Sequence, residues 1–187
     1  MKIGMIIFFM VGLFCMSAKL HSESARELNL VEMAIPRGDT VMMILPNDWM
    51  HQLIRDEPSS IRIYPDDSRS VILQISFSFD RDFVFGTQER VEMNVERASQ
   101  RYIEGSVERR CFLRKFKSKD VIGSYAVFTD ADLAKKRNIG PPDYKHMTTG
   151  MIVLGRNITT FRLLSNSLES DSYKQMLSVL ADGLALK

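Results

Sequence analysis

Apolar and polar residues alternate most clearly over residues 71–79, where every second side chain, beginning with Val71, is apolar. A period of two is typical of a strand with one covered face and one wetter face. Six further runs are strand candidates, and the first two of them end at Pro beside a cluster of turn residues. These runs are 40–45, 60–64, about 107–116, 121–129, 147–154 and 158–165. The last two flank Gly155-Arg156-Asn157, a connection typical of a β-hairpin.

Two segments change to the period of a helix. The first, 87–103, is followed by Gly105, and its apolar positions are Val91, Val95, Ala98 and Tyr102. The second begins with Ser170 as N-cap and has the apolar stripe Tyr173, Met176, Leu177, Leu180 and Leu184. Strand runs that are adjacent in sequence favour hairpins over βαβ units. The pattern therefore predicts an α+β domain, an antiparallel β-sheet of about six strands packed with two long helices.

The N-terminus has the features of an export signal. Lys2 precedes an uncharged apolar run over residues 3–18, which is short for a transmembrane helix of about 20 residues. We expect cleavage after Ser22, which gives a signal peptide over 1–22 and a single α+β domain over 23–187. An uncleaved signal anchor is the alternative, because no small-residue cleavage motif of the ideal form is present.

Export changes the charge and the cysteine count. The chain has 25 Lys+Arg against 23 Asp+Glu, and removal of Lys2 and Lys19 leaves 23 of each. A formally neutral exported domain is not expected to bind nucleic acid. Loss of Cys15 leaves Cys111 alone, so the mature chain forms no intrachain disulfide. We expect Cys111 to be buried as a small hydrophobe.

The order of elements resembles that of a known superfamily. The relevant features are Leu45-Pro46-Asn47-Asp48-Trp49, where a strand ends at Pro and Trp follows, the strands over 60–64 and 71–79, the long helix, and the terminal hairpin with its helix. Together they resemble the PsbP-like superfamily, which includes an extrinsic photosystem protein and a nuclear-import factor that binds Ran. The resemblance implies a PsbP-like α/β sandwich and a noncatalytic interaction module, and it assigns no functional residue.

Candidate chemistry is sparse. The sequence has no G-x-S-x-G, no H-E-x-x-H and no Gly-rich phosphate loop, so no catalytic residue and no cofactor is assigned. The paired aspartates lack the spacing of a calcium loop, and no metal site is expected. A small exported hydrolase that uses Cys111, or a Ser, with His146 as base remains an alternative. A second alternative is a membrane-surface protein held by residues 3–18 and by the basic run 109–119, which also fits a solvated edge strand.

The loop over 130–145 is the preferred functional element. Long connections without regular structure are uncommon inside a compact domain and are often functional. This loop and the residue after it supply the proposed partner-binding residues Lys135, Lys136, Arg137, Asp143, Tyr144, Lys145 and His146. The leading hypothesis is an exported protein, periplasmic or secreted, that binds another protein through this loop and does not catalyse a reaction.

Overall fold

The computed structural model describes residues 28–35, 37, 39–54, 60–65, 69–116 and 121–187. The predicted signal peptide, 1–22, lies outside these residues. In chain order the elements are β1 (Leu28–Ala34), β2 (Thr40–Pro46), β3 (Trp49–Ile54), β4 (Ser60–Pro65), β5 (Val71–Phe79), α1 (Gln88–Ile103), β6 (Leu113–Lys115), β7 (Ile122–Thr129), β8 (His146–Leu154), β9 (Asn157–Ser165), α2 (Asp171–Asp182) and β10 (Leu184–Leu186).

Seven of the strands form an antiparallel sheet in the order β3-β4-β5-β9-β8-β7-β6. The remaining three form a smaller antiparallel sheet in the order β1-β2-β10. The predicted α+β architecture with an antiparallel sheet and two helices is confirmed. The large sheet has seven strands rather than about six. We call its two sides the α1 face and the α2 face, after the helix that packs on each.

The main core lies on the α2 face. Side chains alternate along β5, so Val71, Leu73, Ile75 and Phe77 all point to this face, where each is at most 1% exposed. Helix α2 and the small sheet cover them, and the resulting cluster includes Val41, Met43, Leu45, Trp49, Ile61, Ile63, Ile152, Leu163, Met176 and Leu180. A buried hydrogen bond of 2.7 Å between the Thr148 and Tyr173 hydroxyl groups joins β8 to α2.

Helix α1 packs on the other face, and only on part of it. The Thr87 side chain caps its first turn by accepting the N–H of Arg90. Val91 and Val95 then pack with residues of β8 and β9 in a second apolar cluster that also includes Met151, Val153 and Ile158. The helix lies over β6, β7 and β8. Among the described residues, no helix covers β4 and β5 on the α1 face.

Strands β1, β3 and β10 were not expected from the sequence, and each was missed for a local reason. Strand β1 is largely exposed, and β3 is an edge strand with four consecutive exposed residues, so neither shows a clean alternation. Leu184 was assigned to the apolar stripe of the second helix, which is wrong, because Gly183 ends the helix. A Cβ at Gly183 would lie 2.9 Å from the Val179 carbonyl oxygen, and the chain turns there into β10.

The strand expected over about 107–116 is much shorter than predicted. A turn precedes it, in which the Ser106 hydroxyl accepts the N–H of Arg109 and Arg109 has a positive φ of 52°. Only Leu113–Lys115 then pairs with β7, as the edge strand of the large sheet. Cys111 consequently lies in the loop before β6 at intermediate exposure, and not in the core as expected.

Gly150 marks a place where the sheet tolerates no side chain. A Cβ at this position would lie 2.5 Å from the Ser124 carbonyl oxygen and 2.6 Å from the Phe161 ring. We expect Gly150→Ala to lower the free energy of unfolding by about 1–3 kcal/mol through overpacking, as measured by urea denaturation. The matched control is Gly140→Ala in the loop before β8, where an added Cβ meets no atom within 4 Å. Equal stabilities for the two variants would contradict this packing.

Candidate functional site

A groove crosses the uncovered part of the α1 face. Three adjoining cavities of about 210, 320 and 320 Å³ form it, and they share lining residues with one another. Strands β4, β5, β9 and β8 provide the floor, α1 provides one wall, and the loop before β8 closes one end. The principal lining residues are Arg62, Arg69, Ile72, Gln74, Ser76, Asn94, Ala98, Arg101, Asp130, Pro141, Pro142, Tyr144, Lys145, Met147, Thr149, Thr160, Arg162 and Leu164.

Strand register arranges the floor of the groove in rows that run across the sheet. Arg62 lies opposite Gln74, Gln74 lies opposite Arg162, and Arg162 lies opposite Thr149. Because these residues occupy the positions between the buried ones, all four side chains leave the sheet on the α1 face. Neighbouring strands are about 4.8 Å apart, which puts the Cα atoms of the two arginines about 10 Å apart with Gln74 between them.

The rows on either side of this arginine row differ in character. On one side, Ile72 lies opposite Leu164, which lies opposite Met147, and all three are partly exposed. On the other side, Ser76 lies opposite Thr160. The floor therefore changes from apolar to cationic to hydroxyl over a distance of four residues along a strand.

Helix α1 separates its charges between its two flanks. The flank toward the groove carries Asn94, Ala98 and Arg101, with Arg97 beside them. Acidic residues lie on the opposite flank, where Glu92 forms a 3.0 Å ion pair with Lys115 of β6. The Gln88 and Lys115 side chains bonded to this carboxylate hold the pKa of Glu92 below its usual range. The wall of the groove is thus cationic because the acidic side chains of α1 lie on the flank near β6, at the edge of the sheet.

The arginines of the groove have no acidic partner among the described residues. The ion pairs in that part of the chain all involve lysines: Lys115, Lys174 and Lys187. Arg69 lies over the Tyr64 ring, and Arg101 lies over the Tyr102 ring. Asp130 is the one carboxylate among the lining residues, and its Oδ1 accepts the N–H groups of Asp132 and Leu133.

The predicted functional loop is fixed to the sheet at the end of the groove. The Asn166 side chain accepts the N–H of Lys145 and donates to the carbonyl groups of Ile139 and Asp143. The Tyr144 hydroxyl donates to the Arg69 carbonyl across the opening, at 2.8 Å. Desolvation raises the pKa of the Tyr144 phenol, and the nearby Arg69 and Arg62 lower it in part. These bonds make the loop a wall of the groove.

The predicted partner-binding residues lie in three places: along the exposed loop, in the groove and, for His146, on the opposite side of the sheet. Lys135, Lys136, Arg137 and Asp143 are exposed along the loop. Tyr144 and Lys145 line the groove.

His146 lies on the opposite side of the sheet, because its register partners Thr129 and Ser165 belong to the α2 face. Its Nδ1 lies 3.1 Å from the Thr129 hydroxyl, which donates to Glu108 at 2.7 Å. Since that hydroxyl proton is used, Nδ1 carries the proton that it shares with Thr129. Burial lowers the pKa of His146, more than the Glu108 carboxylate raises it. The bond ties β7 and β8 to the turn that contains Glu108 and leaves Nδ1 unable to act as a base.

The groups named for other chemistry are spread over the molecule. Desolvation raises the pKa of the Cys111 thiol, which disfavours the nucleophilic thiolate. The hydrogen bond described for the His146 side chain joins it to Thr129 and not to a Cys or a Ser. In the described ranges, no three His, Cys, Asp or Glu side chains are grouped to hold a metal ion. No helix formed by these residues is long and apolar enough to cross a membrane.

Sequence reasoning missed the arginines on the floor and wall of the groove. Each had a local signal, since Arg62 and Arg162 occupy polar positions between apolar ones in their strands, and Arg101 lies on the polar side of an amphipathic helix. Their assembly into one site depends on pairing between β4, β5 and β9, which are distant in sequence. No spacing motif reports that pairing.

No protein-family model matches the sequence, and no curated protein sequence matches it. A structural match is cyanobacterial PsbP (CyanoP) from Synechocystis sp. PCC 6803, whose structure was determined in solution. The two chains are 12% identical, the match covers 89% of this chain and 96% of that chain, and the TM-score is 0.49. This similarity concerns the fold alone and is in line with the PsbP-like resemblance noted from the sequence.

Proposed function

We propose that this protein is an exported, noncatalytic module that binds another protein in the groove on the α1 face and along the adjoining loop. The observation that supports the proposal is the incomplete cover of the large sheet. Helix α1 packs over β6, β7 and β8, whereas the floor over β4, β5 and β9 carries polar and cationic side chains that face solvent. The loop before β8 is fixed beside this floor through Asn166 and Tyr144.

A binding role suits the chemistry of the groove. Arginine stays protonated at physiological pH, so Arg62, Arg101 and Arg162 offer charge and hydrogen bonds but no proton transfer. Hydroxyl and amide side chains complete the polar surface of the floor. The imidazole of His146, whose pKa is lowered by burial, lies on the other face of the sheet and is therefore not part of the groove. The partly exposed Ile72, Met147 and Leu164 supply apolar area that a partner would cover.

Site-specific photo-crosslinking in the native compartment tests this surface. We expect a photoreactive residue at Asn94 on the groove wall or at Lys136 on the loop to give discrete adducts with a second protein. A matched residue at Lys174, which is exposed on α2 behind the sheet, should give none. Adducts of equal yield from Lys174, or no adduct from either groove position, would overturn the proposal.

Export is the second part of the proposal and rests on residues 1–22. Mass spectrometry of the protein from its native host is expected to find an N-terminus at Glu23, or at Lys19 if cleavage follows Ala18. Recovery from the membrane fraction with residues 3–18 still attached would contradict cleavage and support the membrane-surface alternative. Lys2→Glu, which removes the positive charge before the apolar run, should slow processing. Lys19→Glu, which lies after the run, is the control for charge alone.

A further inference from the structure

The chemistry of the groove selects among possible partners. Its floor and wall contribute Arg62, Arg162 and Arg101, none of which has an acidic partner among the described residues. Guanidinium groups that form no ion pair with a described carboxylate favour an anionic ligand, and their planar donor pairs match carboxylates in particular. The groove is therefore complementary in charge to acidic side chains.

The apolar row beside the arginines restricts the ligand further. Ile72, Leu164 and Met147 lie two residues along their strands from Gln74, Arg162 and Thr149, on the same face. A ligand that covers both rows needs negative charge on one side and apolar groups on the other. An extended peptide has this form, because its alternate side chains point in opposite directions. A segment that lies between the rows would turn acidic residues toward the arginines and apolar residues toward Leu164.

The shape of the groove and its donors distinguish a peptide from a free phosphate ion. Phosphate sites of the compact kind use several convergent backbone N–H groups at a loop or a helix N-terminus. On this floor, the backbone groups of Gln74 and Arg162 belong to paired β-strands, so the groove offers long side chains instead. Three cavities in succession also exceed what one small anion would fill.

We propose that the groove binds an extended acidic segment of the partner protein, with carboxylates on Arg62, Arg162 and Arg101 and an apolar side chain on Ile72 and Leu164. This inference rests on the proposed function and names the chemical class of its partner. The flank of α1 that bears Arg101 would contact the same segment from above. The acidic flank, with Glu92 bonded to Lys115, is directed away from it.

Fluorescence anisotropy with defined peptides tests the inference on the mature chain. The probe is a labelled peptide of alternating Glu and Leu, compared with peptides in which Lys or Gln replaces every Glu. We expect binding of the Glu peptide only, weakened by added salt. Arg62→Gln and Arg162→Gln should each weaken binding by about tenfold, since a hydrogen bond to a charged group contributes roughly this factor. The control is Arg110→Gln, whose guanidinium stacks on the Phe112 ring in the loop before β6 and should leave the affinity unchanged.

Circular dichroism and urea denaturation of each variant show that a loss of binding is not a loss of fold. Absence of binding to the Glu peptide, or equal affinities for Arg162→Gln and Arg110→Gln, would overturn the inference. Binding to phosphatidylglycerol vesicles with the same dependence on Arg162, and none to the peptide, would replace it with a membrane surface. If photo-crosslinks from Asn94 persist while the peptide fails, the choice of an acidic partner is wrong and the binding module stands. If the crosslinks also fail, both proposals fall.

Discussion

Leu73, Ile75 and Phe77 of β5 are fully buried against α2 and the small sheet. Because side chains alternate along a strand, their burial turns Gln74 and Ser76 to the opposite face. A slip of one residue in the pairing of β5 would exchange the two sets and put polar groups into the core. The core therefore fixes the register of the sheet, and that register in turn places Arg62 and Arg162 on either side of Gln74.

The second constraint is that one helix is too small to cover the whole α1 face. Helix α1 buries Val91 and Val95 over the β6 side of the sheet and leaves the β4 and β5 side open. An apolar surface in that position would favour aggregation, but the exposed floor is mostly arginine, glutamine and hydroxyl side chains. The charge separation on α1 extends this cationic surface up the wall. The incomplete cover of the sheet and the proposed binding surface are thus consequences of the same arrangement.

Elements with a strong local pattern could be predicted from the sequence. The helical stripe over 87–103, the alternation in β5 and the hairpin between β8 and β9 all gave elements with nearly the observed bounds. Strand β3 gave no such signal, because it is an edge strand and most of its side chains are exposed on both faces. Leu184 matched the helical spacing, but Gly183 ends the helix and Leu184 begins β10.

The groove is harder to predict for a physical reason. Arg62 and Arg162 are 100 positions apart in the sequence, and they share one row of the sheet only because β4 and β9 both pair with β5. The loop at 130–145 was identifiable from its length and composition. It connects β7 to β8, which are antiparallel neighbours in the sheet. Which of its residues face the groove depends on contacts such as that of Tyr144 with the Arg69 carbonyl, which lies on a distant segment. Local patterns carry no information about such contacts.

We propose that these arginines, distant in sequence, bind one acidic segment together. NMR spectroscopy of the arginine Nε–H groups, during titration of the mature protein with the Glu-Leu peptide, examines them individually. If these arginines bind one acidic segment, the Arg62, Arg101 and Arg162 signals shift together along one saturating curve, while those of Arg110 and Arg156 stay in place. Shifts confined to Arg110 and Arg156, with the groove arginines unchanged at saturation, would contradict it.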